Sequence, residues 1–185
     1  MHPSGVWIFL AFVTLIAASI LLVLHLTNLG YIIHQKIPDR PHRRLFLASV
    51  SFFITFVAVR LLVYSITHHA GPFGWVEVGG RHIHHLVWGI LLLLVTGHAT
   101  LAEAGTSDTP GSIFVSRLLA VGYGVGSALT LDEFALWLNL DPLAYWSREN
   151  RESIDAIVLF GAVLAMSTWG APLFQRLERN KTKSS

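Results

Sequence analysis

The stretch HIHHLVWGILLLLVTGHATLA, residues 82–102, is the most informative part of this sequence. It is a largely apolar run of about 20 residues, the length that an α-helix needs to cross the hydrocarbon core of a bilayer. Three histidines, His82, His84 and His85, stand where the run begins. Ionisable side chains within apolar segments cost about 3 kcal/mol each at a helix centre, so they are rare without a role. The stretch therefore predicts a membrane helix and marks its start as a place to look for function.

The composition of the whole chain agrees with a membrane protein. Hydrophobic residues make up 53% of it and charged residues 13%, and the mean hydropathy is +0.57. A soluble domain carries about 25% charged residues. The net charge is only +2, and the basic residues lie at segment ends, so nucleic acid is not an expected partner. Because there is no cysteine, any metal must bind through nitrogen and oxygen atoms.

Five stretches are long and apolar enough to span a membrane. The predicted fold class is all-α: a polytopic transmembrane helical bundle that forms a single membrane-embedded domain over residues 1–185. The first stretch is interpreted as an anchor, because it lacks the basic start and short apolar core of a signal peptide. The five predicted spans are Val6–Ile33, Leu45–Thr67, Ile83–Ala102, Ile113–Leu138 and Ser153–Phe174.

The distribution of lysine and arginine predicts the orientation of these spans. With five spans, the first loop, the third loop and the C-terminal tail lie on one side. Basic residues concentrate on the cytoplasmic side of plasma membranes, so the N-terminus is expected outside and the tail inside. Nine of the 13 basic residues fall on the predicted cytoplasmic side: Lys36, Arg40, Arg43, Arg44, Arg117, Arg176, Arg179, Lys181 and Lys183.

This topology brings most of the unusual polar residues to the outer side of the membrane. Four different spans contribute histidines or carboxylates there: His68, His69, His82, His84, His85, Asp132, Glu133, Glu152 and Asp155. At about 100° per residue, His82 and His85 share a helical stripe with Gly89 and Thr96, while His84 is expected on the opposite face.

The fourth span carries a packing pattern as well as its acids. Gly122, Gly126 and Glu133 share one helical stripe. The two glycines form a small-xxx-small pattern, which lets another helix approach closely. We therefore expect Glu133 to face a protein neighbour rather than lipid.

Arg60 lies within the second span, about 10 Å below its outer end at a rise of 1.5 Å per residue. An intramembrane arginine needs a partner, and Asp132 is predicted to pair with it. Glu133 then remains as a metal ligand or a proton carrier. Asp155 has an alternative role, because acids are favoured at a helix N-terminus.

These residues suggest a divalent-metal site, with zinc or iron as the metal. His82 and His85 are spaced i, i+3, and carboxylates from other helices complete such sites. The hypothesised ligands are His82, His85, Glu133 and Asp155. Metal-bound water becomes a nucleophile near neutral pH, so a metal-dependent hydrolase acting on lipid or another membrane-borne substrate would follow. Its candidate catalytic residues are Glu133, Asp132 and Arg60.

Two alternatives to an enzyme stay open at this point. In the first, the acids, the histidines and Arg60 form the relay of a proton- or ion-coupled transport component. Five spans without inverted repeats make a complete transporter improbable as a monomer, which leaves an oligomer open. In the second, the charges are a buried ion-pair network that holds together a structural membrane subunit.

Three blocks of sequence carry a resemblance. HIHHLVWG (82–89), LDEFALWL (131–138) and SID (153–155) resemble the signature blocks of uncharacterised bacterial polytopic integral membrane proteins. The resemblance implies a multi-pass protein of a bacterial plasma membrane whose last three spans act as one unit, and it implies no activity. The chain departs from membrane desaturases and hydroxylases, which have more histidine boxes and carry them on the cytoplasmic side.

Overall fold

The computed structural model describes residues 4–37, 39–68, 77–78, 81–82, 84–134 and 151–169. Within these ranges the chain is helical apart from turns and one pair of two-residue strands, so the predicted all-α class is confirmed. The helices are α1 (Ser4–Leu26), α2 (Leu29–Lys36), α3 (Arg40–Thr67), α4 (His85–Leu101), α5 (Pro110–Asp132) and α6 (Arg151–Trp169). The strands β1 (Glu77–Val78) and β2 (Arg81–His82) pair antiparallel.

Three of these helices, α1, α3 and α5, are long and apolar enough to cross a membrane. The helices α4 and α6 are also apolar but shorter. The membrane character expected from the composition therefore appears in the structure as long apolar helices.

The first predicted span is not one continuous helix, and in this respect the prediction of a span from Val6 to Ile33 is wrong. The helix α1 ends at Leu26, and α2 begins at Leu29. Between them, the Thr27 hydroxyl donates a hydrogen bond to the Val23 carbonyl at 2.5 Å and accepts one from the Leu29 amide at 3.3 Å. Threonine side chains compete in this way with the backbone hydrogen bonds of a helix.

The remaining helix boundaries differ from the predicted ones mainly at the helix starts. The helix α3 begins at Arg40 rather than Leu45, because Pro41 is readily accepted in a first turn. The helix α5 begins at Pro110, where the Thr109 hydroxyl accepts a hydrogen bond from the Ser112 amide at 3.3 Å. The predicted ends of the fourth span beyond residue 134 and of the fifth span beyond residue 169 lie outside the described residues.

The helix α5 lies between α3 and α4 and approaches both closely through its glycines. A Cβ atom at Gly124 would collide with the backbone of α3. A Cβ at Gly122 would lie 2.9 Å from the side chain of Thr96, and one at Gly126 would lie 3.1 Å from the Gly89 carbonyl oxygen. The predicted small-xxx-small contact is therefore confirmed, and it joins α5 to α4.

The core lies along α5 and the facing side of α3. Its most deeply buried side chains include Phe52 and Val59 of α3 and Val125 of α5. The helix α1 packs against this core, with Phe9 near its N-terminal end and Leu24 near its C-terminal end. The Phe9 ring lies 6.2 Å from the His85 ring, measured between centroids, so the start of α1 adjoins the start of α4.

Candidate functional site

Two adjacent acids at the end of α5 form the centre of the site. Asp132 is the last residue of the helix, and Glu133 follows it with φ −105° and ψ 23°. The Asp132 side chain is fully buried and that of Glu133 is 5% exposed. Because successive helical residues point about 100° apart, the two carboxylates can contact different helices.

The carboxylate of Asp132 joins α3 to α4. Its Oδ1 atom lies 2.5 Å from Nε of Arg60, and its Oδ2 atom lies 3.0 Å from Nε2 of His85. Arg60 also donates to the backbone carbonyl of Asp132 at 3.4 Å, and its guanidinium lies 5.4 Å from the Phe56 ring centre. The predicted ion pair between Arg60 and Asp132 is therefore present.

The carboxylate of Glu133 joins α5 to the start of α4. Its Oε1 atom lies 2.8 Å from Nδ1 of His84 and 3.5 Å from Nδ1 of His85. Its Oε2 atom accepts a hydrogen bond from the Leu86 amide at 2.9 Å. The first amides of a helix have no partner within the helix and carry partial positive charge. Glu133 satisfies one of them from another helix and confirms the expectation that it faces a protein neighbour.

The position of His84 corrects the prediction that it faces away from His85. His84 precedes α4 in an extended conformation, with φ −69° and ψ 142°, so helical phase does not apply to it. Its side chain is 32% exposed and contacts Glu133. His84 lies outside the apolar helices, and the hydrogen bond to Glu133 raises its pKa more than burial lowers it.

Together these side chains form a continuous set of contacts, here called the acid–histidine network: Arg60, Asp132, His85, Glu133 and His84. Each of the four carboxylate oxygens has a partner within 3.0 Å. The network begins at the partly exposed His84, passes His85, which is 11% exposed, and ends at the fully buried Asp132. It can hold a proton and pass it between imidazole and carboxylate groups.

The structure brings together two of the four predicted metal ligands, His85 and Glu133. His82 lies in β2, where its backbone pairs with Glu77, and its side chain lies outside the described residues. Asp155 lies near the start of α6 and is exposed. Among the described residues, no three histidine or acidic side chains are arranged to hold a metal ion. The divalent-metal site stays a prediction.

The other outward-facing residues of the sequence analysis lie apart from the network or outside the described residues. His68 follows the last residue of α3, and its ring stacks on that of Tyr64 with 4.0 Å between centroids. His69 and the side chain of Glu152 are not among the described residues.

Comparison of the chain with protein-family models, with curated proteins and with solved structures found no match. The resemblance to bacterial polytopic membrane proteins therefore stays a prediction.

Sequence reasoning missed the contact of His84 with Glu133 and the capping of α4 by Glu133. The sequence did contain a signal for the capping of α4. The residue before α4 is a histidine and makes no side-chain capping hydrogen bond, whereas Ser, Thr, Asp and Asn are the residues that usually cap helix starts. An uncapped helix start within a nonpolar environment requires an acceptor from elsewhere in the fold.

Proposed function

We propose that this chain is a multi-pass membrane protein that binds and releases a proton at the acid–histidine network, as a component of proton-coupled transport. The observation that carries the proposal is the unbroken series of contacts between titratable groups, from the partly exposed His84 to the buried Asp132. Intramembrane series of histidines and acids are typical of proton relays in pumps and transporters.

The charge balance of the network supports a bound proton. Arg60 contributes one positive charge, while Asp132 and Glu133 contribute two negative charges. With both imidazoles neutral the network carries a net charge of −1, which is costly in a medium of low dielectric constant. One proton on an imidazole makes the network neutral. A divalent cation would instead leave a net charge of +1, so the balance favours a proton over the metal centre of a hydrolase.

The contacts also define a route for the proton. The proton enters at His84, whose Nδ1 atom lies 2.8 Å from Oε1 of Glu133. From Glu133 it passes to Nδ1 of His85, across a 3.5 Å separation that must shorten for transfer. The imidazole accepts the proton at Nδ1 and releases another from Nε2 to Asp132, 3.0 Å away.

The proposal includes a topology of five spans with the N-terminus outside and the tail in the cytoplasm. The spans are α1, α3, α4, α5 and α6. The shortest of them, α4, has 17 residues and a length of about 26 Å at 1.5 Å per residue, close to the hydrocarbon thickness of about 30 Å. In this orientation the basic start of α3 lies inside, and His84 exchanges its proton with the outer side of a bacterial plasma membrane.

Proton flux through reconstituted protein tests the proposal. The full chain is placed in phosphatidylcholine liposomes, a potassium diffusion potential is imposed, and an internal pH-sensitive dye reports proton entry. We expect entry faster than in protein-free liposomes, and we expect Glu133→Gln to reduce it at least tenfold. Glu103→Gln, the same change at an exposed turn residue, should leave it unchanged. Entry equal to that of protein-free liposomes refutes the proposal, as does full activity in Glu133→Gln.

A structural role is the second candidate, and one observation favours it. Each carboxylate oxygen of Asp132 and Glu133 lies within 3.0 Å of a nitrogen atom of another residue, so the network joins α3, α4 and α5 through groups of the protein itself. A subunit that used the network only to join α3, α4 and α5 would give no proton entry in the liposome assay. In such a subunit, substitutions in the network would lower the stability of the protein and would have no effect on proton entry.

A further inference from the structure

An open cleft lies at the opposite end of α3 and α5 from the acid–histidine network. Four arginines line it: Arg40, Arg43 and Arg44 from the first turns of α3, and Arg117 from α5. The space between protein atoms there is about 450 Å³, part of which is open to solvent. The cleft is therefore accessible from solvent and carries a concentration of positive charge.

The guanidinium groups of Arg44 and Arg117 are held in place by neutral acceptors. Arg44 donates to the Ser116 hydroxyl at 2.8 Å and to the Ala104 carbonyl at 2.7 Å. Arg117 donates to the Gly30 carbonyl at 3.4 Å. A Cβ atom at Gly30 would lie 3.0 Å from the Arg117 guanidinium, so the absence of a side chain there lets Arg117 rest against α2. These contacts orient the two groups without neutralising their charge.

One of the four cleft arginines, Arg40, has an acidic partner at the surface. Arg40 pairs with Asp108 at 2.5 Å, and the Asp108 side chain is 97% exposed. A carboxylate this exposed is well solvated and contributes little to the pair. Asp108 therefore offsets little of the positive charge that the four arginines bring to the cleft.

Part of the cleft wall is apolar and belongs mainly to the apolar helices. It includes Leu24 of α1, Ile33 of α2, and Leu47 and Ile113 of the two central helices. Arg44 lies 16 residues before Arg60 on α3, which corresponds to about 24 Å along the helix axis. If the network lies near one membrane surface, the cleft lies near the other, at the depth of lipid headgroups.

We propose that this cleft binds a phosphate group, carried by the headgroup of an anionic phospholipid or by a free phosphate. Guanidinium groups match the oxygens of a phosphate in two-point hydrogen bonds. Basic clefts between membrane helices on the cytoplasmic side are typical sites for anionic headgroups. The apolar part of the wall offers a surface for an acyl chain, which a free phosphate would not use.

Native mass spectrometry of the purified full chain tests the proposal. The protein in neutral detergent is titrated with phosphatidylglycerol, with phosphatidylcholine of the same acyl chains, and separately with inorganic phosphate. We expect one phosphatidylglycerol to bind in preference to phosphatidylcholine. Arg117→Gln and Arg43→Gln should each weaken that binding about fivefold, the contribution of one basic residue near an anionic lipid. Lys36→Gln removes an exposed charge near the cleft and should change it less than twofold.

The outcomes separate the two sources of phosphate and can overturn the proposal. Binding of phosphatidylglycerol without binding of inorganic phosphate identifies a lipid site. Binding of inorganic phosphate that depends on Arg117 identifies a free-anion site. Equal binding of the two lipids without phosphate binding overturns the proposal. So does phosphatidylglycerol binding that neither arginine variant weakens, in protein whose unfolding temperature matches the unmodified chain. Proton flux through the network is a separate measurement and does not decide this question.

Discussion

The ion pair between Arg60 and Asp132 predicts an asymmetric loss of stability when either partner is removed. The Asp132 side chain is 0% exposed, and Arg60→Met removes its guanidinium partner. Breaking a buried ion pair in this way costs about 3 to 5 kcal/mol. In Asp132→Asn, the remaining guanidinium is 25% exposed and can turn towards water or headgroups. We therefore expect a smaller loss, about 1 to 3 kcal/mol, for a lost hydrogen bond to a charged group.

The double variant isolates the interaction between the two side chains. Arg60→Met with Asp132→Asn leaves neither charge behind, so its loss should be smaller than the sum of the single losses by at least about 1 kcal/mol. The free energy of unfolding is measured in mixed micelles by denaturant titration, with fluorescence of the six tryptophans as the signal. A larger loss in Asp132→Asn than in Arg60→Met, or additive losses, would show that the two side chains do not stabilise the protein as a buried ion pair.

Three further predictions concern helix packing, capping and metal dependence. Gly124→Ala should destabilise the protein by about 1 to 3 kcal/mol, because the added methyl group meets the backbone of α3. Gly97→Ala is the control: nothing lies within 4 Å of the added atom, so this change should be neutral or stabilising in the same denaturant titration. Thr109→Ala should cost about 1 kcal/mol through loss of the cap on α5; an unchanged free energy of unfolding would count against that cap. A chelator should leave the unfolding temperature of the purified protein unchanged, because a proton balances the network; a decrease that zinc reverses would instead favour the predicted site at His85 and Glu133.

The membrane character and the identity of the important residues could be predicted from the sequence. Apolar runs of about 20 residues predict helices whatever they pack against, because a membrane helix satisfies its own backbone hydrogen bonds. Arg60 and the two acids stood out for the same reason, since charges are costly in such runs. Even the contact through Gly122 and Gly126 was predictable, because their spacing puts both on one face of a helix.

Which side chains contact one another depends on the tertiary structure. Helical phase placed His84 on the face opposite His85, but His84 lies before the first turn of α4, where the backbone is extended and the phase does not hold, and it contacts Glu133. The helix break at Thr27 depends on side-chain hydrogen bonds that compete with the helix itself. In the sequence, the arginines of the basic cleft indicated only the orientation of the spans in the membrane. The shape of the cleft requires α2, α3 and α5 to come together, and contacts between distant segments are not encoded in local periodicity.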